Sequence, residues 1–325
     1  MTSKRKYIIS IGIITLLIIA YYIVNLILFT GIKLESKFIN ENGFQANYFV
    51  KDKVQNKASI ILIGGGQWGD YWAKEFAKKE MVGLSLPYTR KEGFPELPEE
   101  IKLEYFENAI KWLKKQKEVN PTKIVVMGAS RNAELALVIA SIFPESISGV
   151  IAYAPSSVSW SNTVLPYNSN ELKPSWKYKG KDIPYVPMNK ISGNDSGKIK
   201  MIEYWNKGLT KIDMVNKAFI KVENINGPII LFSGNDDLVW PSSIMADMIE
   251  ERLKEKSFNH SFQNVKYKNA GHLISSNPEA TSNYRTGLIT IEGKKYEYEF
   301  GGTNKGDSKA KKDAKIKLME YLKKI

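Results

Sequence analysis

The chain has 325 residues, long enough for a sizeable core, and its 43% hydrophobic and 25% charged residues exclude a disordered polymer. The absence of Cys excludes disulfides, thiolate metal sites, iron–sulfur clusters and a Cys nucleophile, and two His leave few candidates for a metal centre or an imidazole base. The net charge of +13 is spread over mixed Lys/Glu stretches and a Lys-rich tail, without interleaved stacking aromatics; it predicts no nucleic-acid partner and suits long-range attraction to an anionic membrane face or envelope.

The first element, after Lys4, Arg5 and Lys6 in residues 1–6, is the uncharged run 7–32. A helix of that length crosses a hydrocarbon core of roughly 30 Å. The run exceeds the apolar region of a cleavable signal and has no small-residue cleavage pattern, which predicts a retained single-pass anchor. The cations ahead of it predict a cytoplasmic N-terminus in the cell membrane and residues 33–325 on the extracytoplasmic side.

Past the run, 43–50 and 57–63 read as strands, the second a continuous β-branched stretch of the kind buried in a parallel sheet. Gly64-Gly65-Gly66-Gln67-Trp68-Gly69 ends it, and a helix is expected over 71–80. Strand 82–86, a Pro/Gly loop, an amphipathic helix over 97–117, strand 123–127, helix 133–142 and strand 149–153 follow. Buried strands alternating with helices predict an α/β fold, doubly wound on a mostly parallel sheet. The segment 156–200, rich in Pro and aromatics, reads as a lid-like excursion over the C-terminal edge of the sheet. Strand 228–232, helix 241–256, strand 261–268, a hairpin over 285–300 turning at Glu292-Gly293 and a closing helix 307–324 complete one globular unit.

Gly128-Ala129-Ser130-Arg131-Asn132 stands between a buried strand and a helix, the place for a nucleophile elbow. G-x-S-x-G has Asn132 at its last position, where Gly lets helix and strand pack closely. Downstream, Ser233-Gly234-Asn235-Asp236-Asp237 and Asn269-Ala270-Gly271-His272 each follow a strand, giving the order Ser, acid, His of an α/β hydrolase. A hydroxyl becomes a nucleophile when a base takes its proton and an acid orients that base. Ser130 and His272 fill the first two roles; either Asp236 or Asp237 can fill the third, the other bracing the turn. His260, in a polar helix–strand turn, is the alternative base. Backbone N–H groups of Arg131 and of the glycine loop at Gly66 and Gln67 would form the oxyanion hole. The loop matches neither a phosphate-cradling nor a dinucleotide fingerprint, so no cofactor or metal is expected.

These motifs carry a resemblance. Met127-Gly-Ala-Ser-Arg-Asn-Ala-Glu-Leu-Ala-Leu137, Ala152-Tyr-Ala-Pro-Ser-Ser157, Trp176-Lys-Tyr-Lys-Gly-Lys-Asp-Ile-Pro184, Ser233-Gly-Asn-Asp-Asp-Leu-Val-Trp-Pro-Ser242, Ala270-Gly-His272 and Phe300-Gly-Gly-Thr303 resemble the catalytic C-terminal domain shared by acyl-CoA thioesterases and bile acid-CoA:amino acid N-acyltransferases, over about 59–322. The resemblance implies an α/β-hydrolase fold. It also implies Ser130 as the nucleophile of the hydrolytic branch, Asp237 as the acid and His272 as the base. Eukaryotic relatives carry a sandwich domain where this sequence has its apolar run. An acyl-CoA thioester is the implied substrate, yet CoA is scarce outside a cell: either the orientation is the reverse, or the substrate is another acyl ester or thioester, such as a lipid or envelope acyl group. Acyl transfer to an amine or alcohol, or a binding protein that keeps the fold without catalysis (for which Asn132 is the motive), are the alternatives.

Overall fold

The computed structural model describes Thr15 and residues 18–21, 34–162, 172–279 and 284–325. Thr15 and residues 18–21 are helical; the rest of the expected span 7–32 lies outside the described residues. No helix among the described residues is long and apolar enough to cross a membrane.

Eight strands form the central sheet: β1 (Leu34–Glu41), β2 (Phe44–Lys51), β3 (Lys57–Ile63), β4 (Val82–Leu86), β5 (Val119–Ala129), β6 (Gly149–Tyr153), β7 (Ile229–Gly234) and β8 (Phe262–Tyr267). Their order is β1-β2-β4-β3-β5-β6-β7-β8. β2 runs antiparallel to both of its neighbours, and β3 to β8 are mutually parallel. This is the expected doubly wound α/β-hydrolase sheet.

Strand periodicity of two explains the layers. In β3, Ile60 and Leu62 face α1 (Gly66–Lys78), and Ile61 and Ile63 face the opposite core. α2 (Glu104–Leu113), α3 (Arg131–Ile142) and α6 (Ser242–Glu255) pack on that second face, and α7 (Asn304–Leu322) joins α1 on the first. With both faces covered, the strands read as unbroken apolar runs. A third core lies under the excursion. It joins Val158, Trp160 and Val186 to α4 (Met201–Leu209), α5 (Ile212–Ala218) and the hairpin Thr286–Ile291/Lys294–Glu299.

Several expectations shift. The helix foreseen over 97–117 is shorter, because Glu100 takes φ 51° and Ile101 pairs instead with Trp176 in a small ribbon. β1 is an edge strand of mostly exposed residues with little apolar signal. α4 and α5 are additions, although α4 buries Met201, Trp205 and Gly208 at helical spacing.

Candidate active site

The site begins at the turn from β5 into α3. Ser130 has φ 58° and ψ −126°, a left-handed region that L residues occupy only at a cost of roughly 1–3 kcal/mol. The surroundings force it. The Ser130 N–H donates to the Tyr153 carbonyl at 2.9 Å, and the N–H groups of Ala133 and Glu134 donate back to the Ser130 carbonyl. A Cβ on Gly128 would lie 2.1 Å from the Asn132 carbonyl oxygen, so only glycine lets the helix fold this tightly over its strand. The hydroxyl is thereby lifted to the C-terminal edge of the sheet.

Asp237 and His272 follow the ends of β7 and β8 and meet it there. Ser130 Oγ lies 2.9 Å from His272 Nε2, and His272 Nδ1 lies 2.9 Å from Asp237 Oδ2. The Asp237 side chain is only 2% exposed. Its Oδ1 accepts from the N–H groups of Val239 (2.9 Å) and Trp240 (3.2 Å), and its Oδ2 from the Ser242 hydroxyl (2.7 Å). A carboxylate held by donors on both oxygens acts as an acceptor toward His272 Nδ1, which places the ring proton on that nitrogen. Nε2 is then free to accept from Ser130. Trp240 packs its ring edge-on against the imidazole at 6.1 Å between centroids.

The loops that carry Asp237 and His272 are tied together by a strap, Phe300-Gly301-Gly302-Thr303. The His272 N–H donates to the Phe300 carbonyl (2.8 Å), the Gly302 N–H to the Asp236 carbonyl (3.1 Å) and the Thr303 N–H to the Asn269 carbonyl (2.8 Å). Gly301 has φ 77°, and a Cβ there would lie 1.8 Å from the Asp236 carbonyl oxygen. Beneath the strap, buried Asp307 accepts from the Gly271 N–H (2.7 Å) and from Arg285, whose guanidinium also caps the carbonyls of Gly301 and Gly302. From the other side, the indole N–H groups of Trp68 and Trp72 both donate to the Ser275 carbonyl at 3.1 Å and hold the loop after His272 against α1.

With this geometry in view, the comparisons are specific. Residues 101–325 match the family model described as BAAT / acyl-CoA thioester hydrolase C terminal. The chain belongs to this family. It is 28% identical over 292 residues to acyl-coenzyme A thioesterase 2, mitochondrial, of Mus musculus, covering 87% of this chain and 59% of that protein. It is 27% identical over 267 residues to acyl-coenzyme A thioesterase 6 of Homo sapiens, covering 81% and 59%. The chain therefore spans less than two thirds of these relatives. Among solved structures, a dienelactone hydrolase-like promiscuous phosphotriesterase from metagenomic libraries aligns with a TM-score of 0.52 at 11% identity, over 90% of this chain and 98% of that one. That likeness is one of fold.

The family's marks have physical explanations in this member. Glu134 of the A-E-L element is fully buried; it accepts from the Trp160 N–H (3.0 Å) and the Trp176 indole (2.7 Å) and pairs with Arg131. Burial pushes its carboxyl above the usual range, against the pull of the Arg131 guanidinium. Arg131 also donates to the Ser161 carbonyl and the Ser175 hydroxyl, tying the excursion to the elbow. Asn132 fits by a local exchange of volume. Its amide lies over Gly64 (φ 96°), whose absent Cβ would stand 2.2 Å from Nδ2, and its Oδ1 accepts from the Tyr88 hydroxyl at 2.6 Å. The elbow and the glycine loop are thus in contact. Arg131 opens α3, and Gly66 and Gln67 open α1, so their N–H groups belong to helix starts that lack intrahelical acceptors.

The remaining candidates lie elsewhere. Asp236 is exposed, and it is Asp237 that pairs with His272. His260 precedes β8 at the opposite end of the sheet, packed on Phe258 at 5.4 Å. Among the described residues no cluster of His, Asp and Glu could hold a metal ion. Sequence reading missed Ser242, Arg285 and Asp307. For Ser242, the only signal was its place at the end of the D-D-x-x-W-P-S motif.

Proposed function

We propose that this protein is a serine hydrolase that cleaves an acyl thioester or ester, with Ser130 as nucleophile, His272 as base and acid, and Asp237 as the group that orients His272. The observation that carries the reading is the unbroken line from Asp237 through His272 to Ser130, 2.9 Å at each link. His272 Nε2 takes the hydroxyl proton while Ser130 Oγ bonds to the acyl carbon. The oxyanion so formed meets the N–H groups of Arg131 and of Gly66 or Gln67, at two helix N-termini whose dipoles favour negative charge. Collapse breaks the bond to the thiolate or alkoxide, which leaves with the proton from His272. Water then attacks the acyl-enzyme with the same base, freeing the carboxylic acid and restoring Ser130. No cofactor enters these steps. An acyl-CoA is the first substrate to try, because the relatives named above are acyl-coenzyme A thioesterases.

Labelling of the full chain by a fluorophosphonate probe tests this, beside Ser130→Ala and His272→Ala. Labelling that needs both residues supports the reading. A folded wild-type protein that does not label, or a Ser130→Ala variant that still does, sinks it.

The uncharged run 7–32 supports a second part of the proposal, a single-pass anchor with the cations of 4–6 on the cytoplasmic side and the hydrolase outside. Extraction at alkaline pH measures the first claim and protease access in sealed cells the second. Release without detergent overturns the anchor; resistance of the hydrolase to added protease overturns the orientation.

A further inference from the structure

We propose that the end of the sheet opposite Ser130 is a docking surface for an anionic lipid bilayer, centred on a lysine-lined hollow beside Leu34; the proposal rests on residues 7–32 being a membrane anchor. The hollow, about 470 Å³, is lined by Lys37, Lys51, Lys53 and Lys117 together with Asp52 and Glu118. Glu118 is engaged by the Tyr48 hydroxyl at 3.2 Å. Lys51 pairs outside the hollow with Glu80 at 2.7 Å. Lys57, at the start of β3, and Lys123, where β5 enters the core, are exposed at the same end and extend the field. Lys at a helix C-terminus answers the helix dipole, but Lys53 sits in the turn after β2 and Lys57 opens a strand, so no helix end accounts for them.

The place where the chain enters the sheet selects the occupant. The apolar run ends at Ile32, and Leu34 is already paired with Lys51 on the rim of the hollow. Two extended residues reach about 7 Å, so an anchored chain holds this end against the headgroups. Anionic headgroups attract such a cluster within a Debye length. Ser130, Asp237 and His272 all follow the far ends of their strands, across the seven residues of β3, roughly 20 Å away. Docking by the basic end therefore leaves the site open to water, and the acyl substrate arrives dissolved rather than drawn from the same bilayer.

The test uses the full chain in nanodiscs of phosphatidylcholine with and without phosphatidylglycerol, with lysine acetylation read residue by residue. Lys53 and Lys117 are expected to react about fivefold more slowly in the anionic discs, while the exposed Lys181 and Lys200 of the excursion do not change. Lys53→Glu combined with Lys117→Glu removes the protection at Lys57 and leaves hydrolysis of a soluble thioester as it was. Equal footprints in both discs overturn the proposal. So does protection by inorganic phosphate in phosphatidylcholine discs, which makes the hollow a small-anion site. A chain that enters neither disc overturns the anchor instead; docking then stands only if phosphatidylglycerol vesicles added to the full chain give the same footprint, and falls if they do not.

Discussion

Ser130 and the Asp237–His272 pair are held in place by different means. Ser130 owes its position to its own turn: the close approach at Gly128, the carbonyl of Tyr153 and the first N–H groups of α3. Asp237 and His272 stand on separate loops, and a strap far downstream sets the spacing between them. Position fixed by a turn and the adjacent strand survives distant changes, whereas position fixed by a strap does not. The largest effect comes from deleting what both arrangements serve. Ser130→Ala is expected to lower kcat by about 10⁶-fold with the fold intact, the loss that removal of a triad serine brings. Asp237→Asn keeps the shape but allows the wrong imidazole tautomer, and about 10⁴-fold is expected. Steady-state rates on one acyl thioester, with circular dichroism as the control for folding, measure both.

The strap gives the next step down. Gly301→Ala places a methyl group against the Asp236 carbonyl at a backbone angle that L residues avoid, so the strap must move and carry the Asp237 loop with it. A displacement near 1 Å at a reacting group costs about 10²-fold. Because neither Gly301 nor the moved loop forms the turn of Ser130, fluorophosphonate labelling of Ser130 should slow in parallel with kcat while KM holds. A KM rise with normal kcat would show that the strap shapes the substrate cleft instead of the Asp237–His272 spacing.

The same contrast explains what could be read from the sequence. The strands β3, β4 and β6 were legible to the residue because burial on both faces leaves continuous apolar runs between turns. The elbow was legible because its requirements are local: a small residue before Ser130 and a helix after it. Asp237 could not be separated from Asp236 by spacing alone, since both follow β7; the family resemblance favoured Asp237, and in the fold the burial of its carboxylate under Val239, Trp240 and Ser242 distinguishes the two. Phe300–Thr303 stood out as a motif with no visible task, because its task is to bridge two loops that are distant in sequence. Arg285 and Asp307 carried no signal at all: their pairing exists only when the hairpin and α7 are folded against the strap. β1 was hidden for the opposite reason, being an exposed edge with too few apolar residues to show a period.

Asn132 yields the smallest effect, and it tests how local the elbow is. If the departure from G-x-S-x-G marked a failing site, Asn132→Gly would raise activity greatly. The contacts argue otherwise. The amide occupies space that Gly64 leaves empty and accepts from the Tyr88 hydroxyl, so the bulk is already accommodated and Gly would only remove a hydrogen bond and loosen the start of α3. The loss of one such bond and the added chain entropy amount to about 1–2 kcal/mol of stability, with kcat changed by less than about threefold. Gly64→Ala is the reciprocal probe, because its methyl group meets the Asn132 amide at 2.2 Å. Part of its damage should disappear in the double variant with Asn132→Gly, leaving only the strain of φ 96° at position 64. Strict additivity of the two changes, measured as thermal stability and as kcat, would mean that the amide and the glycine loop do not share this space.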